Sequence, residues 1–148
     1  MPVSVISHRE PEPLNLEAFE RLALFVLSRE DVPEAAELSV ALVDEDEMAN
    51  LNERYRQKEG STDVLSFPCD DPCAAGGDEP ITIGDVIIAP AVAAAQASEL
   101  GTTIEAELNL LLTHGILHLL GYEHEDDEQA AVMQERERVL LSMYADLG

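Results

Sequence analysis

The sequence predicts a mixed α/β sandwich of the α+β class: a sheet of about four strands packed against helices, with a metal-bearing central helix in the C-terminal half. Three observations carry that prediction. Short β-rich runs alternate with helical periods, a helical C-terminal half with a nearly all-apolar helix follows, and neither a linker nor an internal repeat divides the chain. At 148 residues the length suits one domain, residues 1–148, large enough to bury a core without disulfides.

Val3 to Ile6 is a short β-favouring run, and Asn15 to Ser28 then repeats Leu16, Phe19, Leu22, Ala23, Val26 and Leu27 at helical spacing. Leu38 to Val43 is again β-rich. Asp44 with Glu47 forms a capping box that opens a second helix, burying Met48, Leu51 and Tyr55 and ending near Lys58. Gly60 and Ser61 break the pattern before a strand at Val64 to Phe67, which Pro68 ends. Cys69 to Pro80 has no apolar period and reads as an exposed loop. Asp85 to Ala89 forms the next strand, and Pro90 suits the first turn of a helix running to about Leu100, where Gly101 stops it. Thr102 and Glu105 supply a capping box for the central helix, whose Ile104, Leu108, Leu110, Leu111, Leu112, Ile116, Leu117 and Leu119 predict burial nearly all round. Acids from Glu125 to Glu128 open a last helix, with Val132, Val139, Leu140, Met143 and Leu147 as its expected inner face.

Composition narrows the functional classes. The net charge of −23, from 31 acids against 8 bases, argues against nucleic-acid binding by bulk electrostatics. The bases are nevertheless clustered: Arg54, Arg56 and Lys58 fall within five residues, either as solvated charges at a helix end or as a local cationic patch. The N-terminus has no basic segment followed by an apolar stretch, so a cytoplasmic location is expected. The most apolar run, Leu108 to Leu120, is too short for a bilayer and carries Asn109, His114 and His118, so no membrane contact is expected. Cys69 and Cys73 fit neither a zinc-finger spacing nor a complete ligand set, and read as incidental reduced thiols.

The chemistry concentrates in His114-Gly-Ile-Leu-His118-Leu-Leu-Gly121-Tyr-Glu-His124, which holds three of the four histidines. Four residues apart on a helix, His114 and His118 share a face one turn apart. Gly121 can take positive φ and fold the chain back, delivering His124 as a third ligand. Three imidazoles form a catalytic zinc set that leaves the fourth tetrahedral position for water, whereas structural sites fill all four positions and lean on cysteine. Nickel, copper and cobalt suit the same donors, and zinc is the expected ion, one per chain. Core packing or pH sensing is the competing use of such histidines. The spacing also matches the metzincin proteases, but these carry Glu directly after the first His as general base, and here that residue is Gly115.

This histidine run resembles the signature of the YbeY family, whose members place Gly between the first His and the apolar pair. Leu51-Asn52-Glu-Arg54-Tyr55-Arg56-Gln-Lys58, followed by Thr62-Asp63-Val-Leu-Ser66-Phe67-Pro68, is similar to a second block of that family, and Gly84-Asp85-Val-Ile-Ile to a third. Together they cover about Leu38 to His124. One departure is Glu123, where the family usually has Asp, so its carboxylate reaches one methylene further. The resemblance implies a single-strand-specific endoribonuclease acting in ribosomal RNA maturation, including the 3′ end of the small-subunit RNA, and in ribosome quality control. It further implies zinc on His114, His118 and His124, a catalytic part for His114, an important Arg56, and partners among small ribosomal subunit components.

Physically, phosphodiester hydrolysis needs a nucleophile and stabilisation of charge on the non-bridging oxygens, and a metal with an open position provides both. Arg56 is then expected to hold a phosphate oxygen through its planar fork, with Lys58 and Arg54 as less directional substrate contacts. Asp85 is a candidate partner for a ligand imidazole, or a strand-end acid. Ser66 is a weaker candidate, and Tyr55 and Tyr122 could stack on bases, although core packing suits Tyr55. The rival function is a ribosome-assembly factor whose metal holds the fold together with little intrinsic cleavage.

Overall fold

The computed structural model describes residues 3–7, 16–32, 36–56, 63–68, 81–123 and 125–147. Along them run β1 (Val3–Ser7), α1 (Leu16–Arg29), β2 (Ala36–Leu42), α2 (Glu45–Arg56), β3 (Val64–Pro68), β4 (Ile81–Ile88), α3 (Pro90–Leu100), α4 (Ile104–Leu119) and α5 (Asp127–Asp146). The strands form one mixed sheet in the order β1-β2-β4-β3. β1 and β4 flank β2 in parallel, and β3 runs antiparallel to β4. Pro68 cannot donate to a ladder, and it ends β3, which forms an edge of the sheet.

β4 runs further toward the N-terminus than its apolar run suggested, beginning at Ile81 rather than near Asp85. Its pairing explains the difference. Thr82 stands opposite Glu37 and Gly84 opposite Leu38, so β4 carries one extra residue at a bulge that interrupts its alternation. Gly84, at φ 154°, lies where a Cβ would sit 2.3 Å from the Phe67 carbonyl oxygen and 3.0 Å from Leu119 Cδ2. The end of α4 rests on this spot. Gly84→Ala is therefore expected to cost about 1–3 kcal/mol of stability through overpacking, seen as an earlier midpoint in denaturant unfolding.

The two faces of the sheet are covered unequally. On one, Leu38, Val40, Leu42, Ile83, Val86 and Ile88 meet Phe19, Leu22, Val26 and Leu27 of α1, Ala93 of α3, the apolar side of α4, and Met133 and Leu140 of α5. On the other, Ala41, Leu65, Phe67 and Ile87 pack with Val43 and with Met48 and Leu51 of α2. α2 opens as expected, with Glu47 N–H donating to Asp44 Oδ1 at 2.8 Å.

α4 touches α1, α3, α5, β3 and β4, which accounts for its nearly continuous apolar surface. Its N-cap is Thr103 rather than Thr102: the Thr103 hydroxyl accepts from Ala106 N–H at 3.1 Å. Either threonine satisfies the pattern, and the tertiary contacts of Ile104 select the second.

The inner face of α5 also differs from expectation. Val132 and Leu147 are 58% and 71% exposed, while Met133, Glu137 and Leu140 are buried. This stripe has helical spacing but contains a carboxylate, so a search for apolar residues alone selects a neighbouring stripe.

Candidate metal centre

His114 and His118 project from one face of α4, both half-buried. Gly115 between them faces the sheet. A Cβ there would lie 2.7 Å from Val86 Cγ1 and 3.2 Å from Ser66 Oγ, and Ser66 Oγ donates to the Gly115 carbonyl at 3.2 Å. Glycine at this position lets α4 settle onto β3 and β4. A glutamate would enter the layer between helix and sheet, so the residue used as base by the proteases of similar spacing is absent for a packing reason. Ser66 thus fixes the helix and does not reach out toward a substrate.

Beyond Leu120 the chain reverses at Gly121, which has φ 107° as its type and position predicted. The Gly121 N–H donates to the His118 carbonyl at 3.1 Å and the Tyr122 N–H to the Leu117 carbonyl at 3.0 Å. The turn brings the Tyr122 carbonyl to 3.1 Å from His118 Nδ1. His114 Nδ1 lies 2.5 Å from Oε1 of Glu137, a residue 6% exposed on α5. A carbonyl and a carboxylate only accept, so each ring donates through Nδ1, and in its neutral form leaves the lone pair on Nε2. This tautomer is the one that ligates a metal through Nε2.

The Tyr122 carbonyl is held from behind. Tyr122 packs against the core, and its hydroxyl lies 3.4 Å from both oxygens of Glu30, which accepts from Arg136 Nε at 2.7 Å. Burial, and then the Glu30 charge, push the Tyr122 phenol above its ordinary value; the Glu30 hydrogen bond does the same to Arg136. Tyr122 is therefore an anchor in this structure. Adjacent residues of α5, Arg136 and Glu137, support the two imidazoles by separate routes. Sequence reasoning missed Glu137, Glu30 and Arg136; the available signal was an acid at the helical spacing Met133, Glu137, Leu140.

The other expected site residues are placed as follows. Glu123 is exposed, its Oε2 3.9 Å from His118 Nδ1, an outer charge beside the closer carbonyl. Asp85 is exposed, and alternation from Gly84 and Val86, which face α4, directs it to the opposite side of the sheet. It points away from α4, and the His114 ring pairs with Glu137 instead. Arg54 is exposed on α2, across the sheet from α4. Arg56 closes α2. Its side chain, that of Tyr55, and the whole of Lys58, His124, Cys69 and Cys73 lie outside the described residues.

Glu107 lies two helical turns before His114 on the same face of α4 and is buried. Burial first, and the Asp63 charge second, raise its carboxyl above the ordinary 4.5. A folded-state pKa above the unfolded one means that the native state binds the extra proton, so this group's stabilising contribution is present below 4.5 and is lost as pH climbs through the raised value. Glu107→Gln should accordingly raise the thermal midpoint at neutral pH and leave it nearly unchanged in acid. A stability difference that does not vary with pH would contradict this.

Comparison with known proteins settles the lineage. A family model described as endoribonuclease YbeY matches residues 6–145. The chain belongs to the YbeY family. Its relatives include the endoribonuclease YbeY of Thermobifida fusca, 44% identical across 93% of this chain and 90% of that one, and the YbeY of Beutenbergia cavernae, 42% identical across 95% and 96%. The YbeY of Frankia alni is 49% identical over 82% of this chain and 71% of its own. A Thermotoga maritima protein solved in solution has a similar fold, with a TM-score of 0.63 at 26% identity over 97% of this chain and 92% of that protein. The likeness to the family in sequence thus extends along nearly the whole chain.

Proposed function

We propose that the chain is a zinc-dependent endoribonuclease that cuts single-stranded RNA in the cytoplasm, acting in ribosomal RNA maturation, at the small-subunit RNA 3′ end among other sites, and in ribosome quality control with small-subunit components as partners. The observation that supports a metal centre is the pair of half-buried imidazoles on one face of α4, both with Nδ1 given to an oxygen. Membership of an endoribonuclease family supports RNA as the substrate class. Among the described residues no helix is long and apolar enough to cross a membrane.

His114 and His118 supply two ligands and His124 the third; the neutral nitrogen donors and the hydrogen-bonded Nδ1 atoms suit zinc. When bound, zinc supplies a Lewis acid and lowers the pKa of water toward neutrality. The remaining work falls to the chain. Arg56 grips a non-bridging phosphate oxygen through its guanidinium, and Lys58, with Arg54 at longer range from across the sheet, adds positive potential along an otherwise acidic surface. Residue 115 offers no carboxylate, so a protease-type base is missing and peptide hydrolysis is not supported.

Metal removal tests the reading. Chelator-treated protein should lose cleavage of a labelled single-stranded RNA, recover it on adding one equivalent of zinc, and leave a duplex of the same sequence intact throughout. Cleavage that persists in metal-free protein would refute it; binding to small-subunit components without cleavage would favour the assembly-factor alternative.

A further inference from the structure

We infer that Glu137 is a positioning residue that fixes the ring of His114 for metal binding; this rests on the metal-centre reading above. A carboxylate on the inner stripe of α5, between Met133 and Leu140, is a poor choice for packing, because burial of an ionised group costs stability unless it is hydrogen-bonded. Among the described residues the hydrogen-bond partner of Glu137 is His114 Nδ1, 23 residues away and 2.5 Å distant. The contact therefore spends fold stability on one imidazole. Its consequences follow from the chemistry of that ring. Accepting a hydrogen bond from Nδ1–H excludes the Nε2–H tautomer that a free neutral histidine side chain prefers and halts ring rotation.

The two ligands of α4 are held differently. His118 donates to a neutral carbonyl at 3.1 Å, His114 to a carboxylate at 2.5 Å, so His114 is the stronger electron donor of the pair. Removing Glu137 should therefore act on His114 and spare His118.

Three proteins decide it: wild type, Glu137→Gln, which keeps an accepting oxygen, and Glu137→Met, which fills a similar volume without one. A cavity of about 320 Å³ lined by His114, Ala130, Met133, Gln134 and Glu137 gives the thioether room. Long-range nitrogen–proton NMR of the metal-free proteins should show Nδ1–H at His114 in wild type and Glu137→Gln, and a shift toward Nε2–H in Glu137→Met, with His118 unchanged. Zinc competition with a chromogenic chelator should give a 10–100-fold weaker affinity for Glu137→Met, the loss typical of hydrogen-bond partners of metal ligands, and a smaller loss for Glu137→Gln. A residue serving only the fold would let Met match or exceed wild-type stability with zinc affinity and tautomer unaltered; that result overturns the assignment alone. Wild type that takes up no zinc overturns the metal centre and this assignment with it.

Discussion

His118→Ala should abolish zinc uptake and RNA cleavage together while leaving the protein folded. The side chain is half-buried at the edge of α4, whose hold on the domain comes from Leu108, Leu112, Ile116 and Leu117 on its other sides, so circular dichroism and the unfolding midpoint of the metal-free form should change little. On the proposed site, loss of one of three ligands must exceed the 10–100-fold penalty that attends loss of a ligand's hydrogen-bond partner. Zinc should therefore be undetectable in the purified variant by elemental analysis. Cleavage that survives at the wild-type rate in a zinc-free variant would show that the histidines serve another purpose.

The second large effect is expected at Arg56. Arg56→Ala should retain zinc at the wild-type level yet cleave single-stranded RNA about 10²–10³-fold more slowly, the range for removing one donor to a developing oxyanion. Arg56→Lys should recover part of the loss but not all, because an ammonium provides charge without the planar two-pronged fork. Zinc content measured beside the rate separates the two roles. If the alanine variant loses its metal, the residue supports the fold, and the phosphate contact must be sought elsewhere.

The contrast between what could and could not be read from the chain has a physical origin. The histidine helix, its end at Leu119 and the reversal at Gly121 depend on interactions within a few residues, and local spacing reports these faithfully. So do the cap at Asp44 and the apolar period of α1. The partner of His114 is 23 residues away on another helix, and the contacts that anchor Tyr122 reach back to Glu30, 92 residues earlier. No periodicity encodes such pairs. Asp85 is a reasonable candidate because an acid in an apolar strand invites a partner, but a strand has two sides and the sequence does not say which one the histidine helix covers. The bulge in β4 hides its beginning for a related reason: one extra residue breaks the alternation by which a strand is recognised.

The close seating of α4 at Gly115 has a consequence for how this architecture can change its trade. Writing a glutamate into position 115 would complete the zinc-peptidase motif on paper, yet the new carboxylate would be driven against Val86 and Ser66. The sheet would first have to surrender volume at those two positions. A single-step conversion from cutting RNA to cutting peptides is thus closed to this chain by steric exclusion, however short the genetic distance.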